Sequence, residues 1–164
     1  MKDGDVTGGE QVRRTIDPAT ERRVRDSFGR QGLMRHLGAT IEEIDRGEVR
    51  IRMPYRAELT QQHGYFHAGG TSAIADSAGG YAGLSVFPAD SSVLTVEFKI
   101  NLLAPAEGEH LEAVGRVVRS GRTLTICQIE VFGVTGEART LVAIAQQTLM
   151  CMAGRSDGPS PARA

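Results

Sequence analysis

Sixteen residues carry most of what this chain says about function: Gln61-Gln62-His63-Gly64-Tyr65-Phe66-His67-Ala68-Gly69-Gly70-Thr71-Ser72-Ala73-Ile74-Ala75-Asp76. They read as a polar, Gly-containing loop leading straight into a helix, with one carboxylate a turn or two inside it. The first N–H groups of a helix have no intrahelical acceptor, and the macrodipole leaves partial positive charge at that end. A buried acid beside such an end suits attack on a carbonyl whose oxygen must be stabilised as it becomes an oxyanion. His63 and His67 stand four apart, a metal-ligand spacing on a helix. Here Gly64 interrupts them in a loop and no third ligand follows at a clear spacing, so no metal is expected.

The elements that position this segment are legible from periodicity. Asp17-Pro18 reads as an N-cap followed by Pro at the first helical position, opening a helix to about Gln31. Strands are expected over 39–45 and 48–53, joined at Asp45-Arg46-Gly47. After the loop 54–67 comes a helix from about Ala68 to Phe87. From Leu94 the pattern has period two: Leu94, Val96, Phe98, Ile100 and Leu102 face one way, Thr95, Glu97, Lys99 and Asn101 the other. Strands follow over 111–119, 122–132 and 139–152, with hairpin-length turns that make them antiparallel. The order α-β-β-α-β-β-β-β predicts an α+β fold with the long helix on one face of the sheet.

That long helix holds Gly69, Gly70, Gly79, Gly80 and Gly83. Each interior glycine costs about 1 kcal/mol relative to Ala, so the helix rests on tertiary burial, with Ile74, Ala78 and Ala82 as the stripe against the sheet. Asp76, Gly79, Gly80 and Gly83 fall at i, i+3, i+4 and i+7 on one face. Two readings of that face stand open: a groove filled by a ligand or another subunit, or close packing on the sheet.

The segment Gln61-x-x-Gly64-x-x-His67-Ala68-Gly69, with Asp76 nine residues after His67, resembles the PaaI-type branch of the hotdog-fold acyl-CoA thioesterases. The strand from Val93 to Ala106 with its Ala104-Pro105 end, and the hairpin Val118-Arg-Ser-Gly-Arg-Thr-Leu124, resemble the same family, so the likeness spans residues 30–152. It implies a hotdog fold: a long central helix wrapped by a curved antiparallel sheet of about six strands. It implies metal-free and cofactor-free hydrolysis of an acyl-CoA, medium- or long-chain or aryl, to free acid and CoA, a hydrolase of lipid metabolism. Asp76 would be general base or nucleophile, and the N–H of Ala68 or Gly69 would bind the thioester oxygen. Gln61 would place the water or the substrate, and Thr95 of the neighbouring subunit would lie near the carboxylate. His67 would touch the thioester oxygen or orient the loop. His63, Gly64 and Gly70 would complete the substrate-binding stretch. Arg116, Arg119 and Arg122 around the Ser120-Gly121 hairpin would meet CoA phosphates, or form an ordinary solvated hairpin. The resemblance also implies a homodimer or homotetramer with active sites at the dimer interface. Family members often have Asn at Gln61 and Gly at Ala68; alanine keeps the N–H the oxyanion needs.

Composition narrows the alternatives. At 164 residues with net charge −1, the chain fits one domain over 17–152, with polar tails over 1–16 and 153–164 expected to be disordered. No basic excess argues for nucleic acid. No apolar run is long enough to span a bilayer, and no signal peptide is visible, so a cytoplasmic protein is expected. Cys127 and Cys151 sit in apolar strand-like runs and read as buried free thiols. Arg22, Arg23 and Arg25 read as a solvated helix face. Tyr65, Phe66, Tyr81 and Phe87 fit either an acyl pocket or the core. No nucleophile elbow, Walker loop or dinucleotide fingerprint occurs. The competing functions are a non-catalytic acyl-CoA-binding or regulatory hotdog domain, which Asp76 argues against, and a hotdog dehydratase or hydratase, whose typical stretches are missing.

Overall fold

A computed structural model of the protein describes residues 15–155, 157 and 158. The expected N-terminal tail lies outside these residues except for Thr15 and Ile16, and Ile16 packs against the core. Helix α1 spans Pro18–Gly29, and its cap is Asp17, whose Oδ1 accepts from the N–H groups of Ala19 (3.1 Å) and Thr20 (3.0 Å). A short α2, Gly32–Leu37, follows and buries Met34 and Leu37. The periodicity of so brief a segment does not announce it; its end does, in Gly38 at φ 66°.

Among the described residues six strands form one antiparallel sheet: β1 Thr40–Asp45, β2 Glu48–Pro54, β3 Ser91–Leu102, β4 His110–Ser120, β5 Leu124–Thr135 and β6 Ala138–Ala153. Their order is β1-β2-β4-β5-β6-β3, so β3 crosses to the far edge and lies beside β6. Helix α3, Ala68–Leu84, lies across one face and touches β2 to β6. The layer between holds Val49, Ile51, Met53, Leu111, Ala113, Cys127, Ile129, Val131, Ala143 and Leu149, all buried. This is the helix-on-sheet layering expected of the hotdog fold.

The helix lies very close to the sheet. A Cβ on Gly115 of β4 would stand 2.4 Å from the carbonyl carbon of Ala78, and one on Gly79 would stand 2.0 Å from Oε1 of Gln147. A Cβ on Gly83 would meet Leu149 at 2.4 Å. Close packing therefore explains Gly79 and Gly83. Of the three glycines that share a face with Asp76, Gly80 alone has open space at its Cβ position among the described residues.

Two further expectations are revised. Arg23 is not a solvated side chain: its guanidinium donates to the carbonyls of Leu84 (2.7 Å), Phe87 (3.1 Å) and Pro88 (2.6 Å). It caps the C-terminal end of α3, where carbonyls lack intrahelical donors. Strand β3 is also not a plain alternation. Thr95 pairs with Leu149 and Glu97 with Thr148, which leaves Val96 as the extra residue of a β-bulge. The bulge inverts the phase. Phe98, Ile100 and Leu102 lie opposite Gln147, Ala145 and Ala143 on the helix side, and so does Thr95, opposite Leu149. Leu94, opposite Met150, faces away.

Candidate active site

Asp76 sits on α3 where the helix borders β3, and it is half-buried rather than buried. Thr95 Oγ1 donates to Asp76 Oδ1 at 2.8 Å. The expectation that Thr95 arrives from a neighbouring subunit is thus corrected: the bulge turns the same chain's Thr95 toward α3. A third residue completes the group. Gln147 Nε2 lies 2.6 Å from Asp76 Oδ1, 3.1 Å from the Asp76 carbonyl and 3.0 Å from Thr95 Oγ1. Gln147 is 1% exposed. Sequence reasoning passes over it, although one signal is present: along β6 it occupies the inward phase otherwise held by Ala143, Ala145 and Leu149.

A groove of about 300 Å³ opens beside this carboxylate, lined by Ser27, Arg30, Gln31, Ser77, Gly80, Tyr81, Val93 and Thr95 among others. Its hydroxyls are paired: Ser27 Oγ with Tyr81 Oη at 3.2 Å, and Ser77 Oγ donating to Gln31 Oε1 at 3.2 Å. Burial pushes the Tyr81 phenol above its ordinary value, against the opposing bond from Ser27, so it stays a neutral hydroxyl. Of the expected C-terminal tail, Asp157 reaches this rim and pairs with Arg30 at 2.9 Å. Tyr81 borders the groove; Phe66 and Phe87 lie in the core.

The second half of the predicted site is the N-terminus of α3. His67 is its N-cap, and His67 Nδ1 accepts from the Gly69 N–H at 2.8 Å. With Nδ1 accepting, the imidazole proton sits on Nε2, which becomes a donor. The N–H groups of Gly70 and Thr71 both reach the His67 carbonyl, at 3.0 and 3.1 Å. Among the described residues no acceptor takes the Ala68 N–H. Gly70 itself packs against Met53. The preceding loop is tied down by Phe66 N–H to the Ala106 carbonyl (2.8 Å) and His67 N–H to the Leu59 carbonyl (2.9 Å). Within it, Gln61 Oε1 accepts from the His63 N–H, and Gly64 turns the chain at φ 84°. The Gln61 amide thereby shapes its own turn.

The two halves do not meet in one chain. Ala68 and Asp76 are eight residues apart on α3, and at about 1.5 Å per residue that is roughly 12 Å along the axis. A carbonyl carbon cannot be within reach of both. The arginines are placed differently again. Arg116 is engaged by Glu48 (3.1 Å) and Glu130 (2.9 Å), which removes it from the candidates for phosphate binding. Arg119 lies opposite Ile126 on the sheet face away from α3, and Arg122 sits in the hairpin turn.

Comparison with known proteins fits this geometry. The model of the thioesterase superfamily matches residues 63–139, a span that contains α3 and Asp76. A thioesterase family protein from Silicibacter pomeroyi is 44% identical, covers 82% of this chain and 99% of its own, and superposes with a TM-score of 0.80. The chain belongs to the thioesterase superfamily. The PaaI protein of the Escherichia coli phenylacetic acid degradation operon shares the fold, with a TM-score of 0.77 at 20% identity over 87% of this chain and 99% of its own. An esterase, so named provisionally, from Halobacterium salinarum is 36% identical over 105 residues, 61% of this chain and 69% of its own length. The protein is thus a hotdog-fold thioesterase by family and a hydrolase by class. Among the described residues no helix is long and apolar enough to cross a membrane.

Proposed function

We propose that this thioesterase-superfamily protein hydrolyses acyl-CoA thioesters, with Asp76 as general base or nucleophile. The observation that carries the reading is the carboxylate itself, anchored by Thr95 and Gln147 at the mouth of a groove. A thioester needs little help, because sulfur donates weakly into the carbonyl and thiolate leaves readily. A positioned base supplies roughly 10²- to 10⁴-fold in rate, and one oxyanion donor about 3–4 kcal/mol. The Ala68 N–H, the α3 N-terminus and His67 Nε2–H are the donors for the developing oxyanion. Gln61, with His63 and Gly64, shapes the loop that presents them, and Gly69 and Gly70 lie in the first turn of α3.

Because these donors and Asp76 lie two helical turns apart, the working site combines the Asp76 of one copy with the helix N-terminus of another. A homodimer, alone or within a homotetramer, satisfies that need. The edge strand supports it: Leu94, Val96, Phe98 and Leu102 of β3 are each 40% exposed or more, and among the described residues β3 has an unpaired side. An exposed apolar edge of this length calls for a partner strand. Arg119 near the end of β4 and Arg122 in the β4–β5 turn are the cations for the phosphates of CoA.

The test is thiol release from acetyl-, octanoyl-, palmitoyl- and benzoyl-CoA, run beside Asp76→Ala. The wild-type protein is expected to cleave at least one thioester, and the variant to lose 10²-fold or more while keeping its circular dichroism spectrum. No release from any of the four overturns the reading. Stable binding without release would make the protein an acyl-CoA-binding module instead.

A further inference from the structure

We propose that Gln147 is a positioning residue that locks the Asp76 carboxylate and leaves Oδ2 as its working oxygen. The catalytic consequence rests on the thioesterase reading; the contact itself rests on geometry alone.

The environment of Gln147 is costly for an amide. It lies on the helix-facing side of β6 between Ala145 and Leu149, and almost none of it is exposed. Burying an amide there is unfavourable unless its polar atoms are bonded. Its Nε2 is bonded, and every acceptor within reach belongs to Asp76 or Thr95. Its Oε1 is buried with no hydrogen-bond partner among the described residues. The helix also accommodates it: Gly79 stands where any side chain would strike Oε1 at 2.0 Å. An orphaned carbonyl and an interior helix glycine both cost stability. A methionine at this position would fill similar space without the unpaired oxygen. The arrangement makes sense as a device for presenting one N–H pair to the carboxylate.

The bonding then defines the two carboxylate oxygens. Oδ1 accepts from Thr95 Oγ1 at 2.8 Å and from Gln147 Nε2 at 2.6 Å. Both are donors to an ionised acceptor and belong to the stronger class of hydrogen bond. Thr95 in turn accepts from Gln147, so the three side chains form a closed triangle. Oδ2 takes no hydrogen bond among the described residues. It is the oxygen free to accept a proton from water or to attack the thioester carbon, and the triangle fixes where it is held.

The experiment pairs kinetics with a measurement that needs no turnover. Gln147→Met is expected to melt at or above the wild-type temperature, because it removes the orphaned oxygen. On the best-hydrolysed of the four CoA thioesters it is expected to lose about 10- to 100-fold in kcat, with KM within about twofold. In the Asp76→Ala background the same change is expected to leave the residual rate untouched. A wild-type kcat, a loss that only tracks unfolded protein, or an equal loss in the Asp76→Ala background would each overturn the proposal. Independently, the Gln147 side-chain amide of nitrogen-15-labelled protein is followed by NMR. It is expected to exchange slowly with solvent and to shift strongly in Asp76→Ala, unlike the exposed amide of Gln146. An unshifted, fast-exchanging amide overturns the contact even if Gln147→Met fails to fold. If no thioester is cleaved, the proposed activity fails, and the NMR result still decides whether Gln147 holds Asp76.

Discussion

Replacing Gly115 by alanine tests how the fold sets the site. The added Cβ would lie 2.4 Å from the Ala78 carbonyl carbon and 2.5 Å from both the Ala78 oxygen and the Gly79 nitrogen. Carbon atoms rest about 3.5–4.0 Å apart, so relief requires a movement of about 1 Å. All three struck atoms are backbone, and no rotamer can give way. Either β4 or α3 must shift, and Asp76 is two residues from Ala78 on that same helix. A shift of this size takes bonds of 2.6 and 2.8 Å to Asp76 Oδ1 beyond normal hydrogen-bond range. Overpacking costs about 1–3 kcal/mol, and a clash against rigid backbone belongs at the upper end, about 3 kcal/mol. For a chain of this size that lowers the melting temperature by about 6–12 °C. Turnover per folded molecule is expected to fall about 10²-fold, the scale of a 1 Å misplacement. The assay is a circular dichroism melt at fixed protein concentration with thioester turnover on the same samples. Gly29→Ala is the control, since among the described residues nothing lies within 4 Å of its Cβ position and the change should hold or raise the melting temperature. A Gly115→Ala protein that melts and turns over as the wild type does would refute so close an approach of β4 to α3.

Three other outcomes are expected. His67→Ala loses the cap on α3, on the order of 1 kcal/mol, and loses turnover; His67→Asn should recover the stability but not the rate, and recovery of both would reduce His67 to a cap. Burial pushes the Cys127 thiol up to about 12, so a disulfide reagent at pH 8 should leave it unmodified until the protein is denatured, and rapid reaction of both cysteines would contradict the burial. His110 is held below its ordinary value of 6.5, first by burial and then by the positive charge of Arg52. The unfolded chain therefore takes up that proton more readily, so stability is full above pH 6.5 and falls as the pH drops below it; His110→Gln should flatten that part of a denaturation profile taken between pH 5 and 7.5.

Much of this arrangement is legible in the sequence, because strands joined by Gly-containing turns announce themselves by period two and α3 by its place after a polar loop. What escapes has physical causes. Thr95 reads as facing away from the apolar row because a bulge at Val96 adds one residue to the count and inverts the phase, and nothing in a period-two pattern marks such an insertion. The face shared by Asp76, Gly79, Gly80 and Gly83 is real but wide. At about 100° per residue, Gly79 and Gly83 fall to one side of Asp76 and Gly80 to the other. The sheet takes the first two and the groove takes the third. Arg23 reads as one of several charges on a helix, and only the tertiary fold shows the carbonyls at and just beyond the end of α3 that it serves.

The same seam explains why Asp76 can be both anchored and available. A carboxylate facing the sheet squarely would be buried beneath α3, and one on the far side would be solvated and free to rotate. Asp76 stands between Gly79, which presses on Gln147, and Gly80, which opens on the groove. From the sheet side, β6 and the bulged β3 reach one oxygen; the other is left without a partner among the described residues. The glycines that weaken α3 as an isolated helix therefore have separate effects. Gly79 and Gly83 bring the helix close enough for Gln147 to reach the carboxylate, and Gly80 keeps the approach to it clear. A helix of higher intrinsic propensity, with alanine at all three positions, would clash with Gln147 and Leu149 and narrow the groove. Its intrinsic weakness follows from the geometry that Asp76 requires.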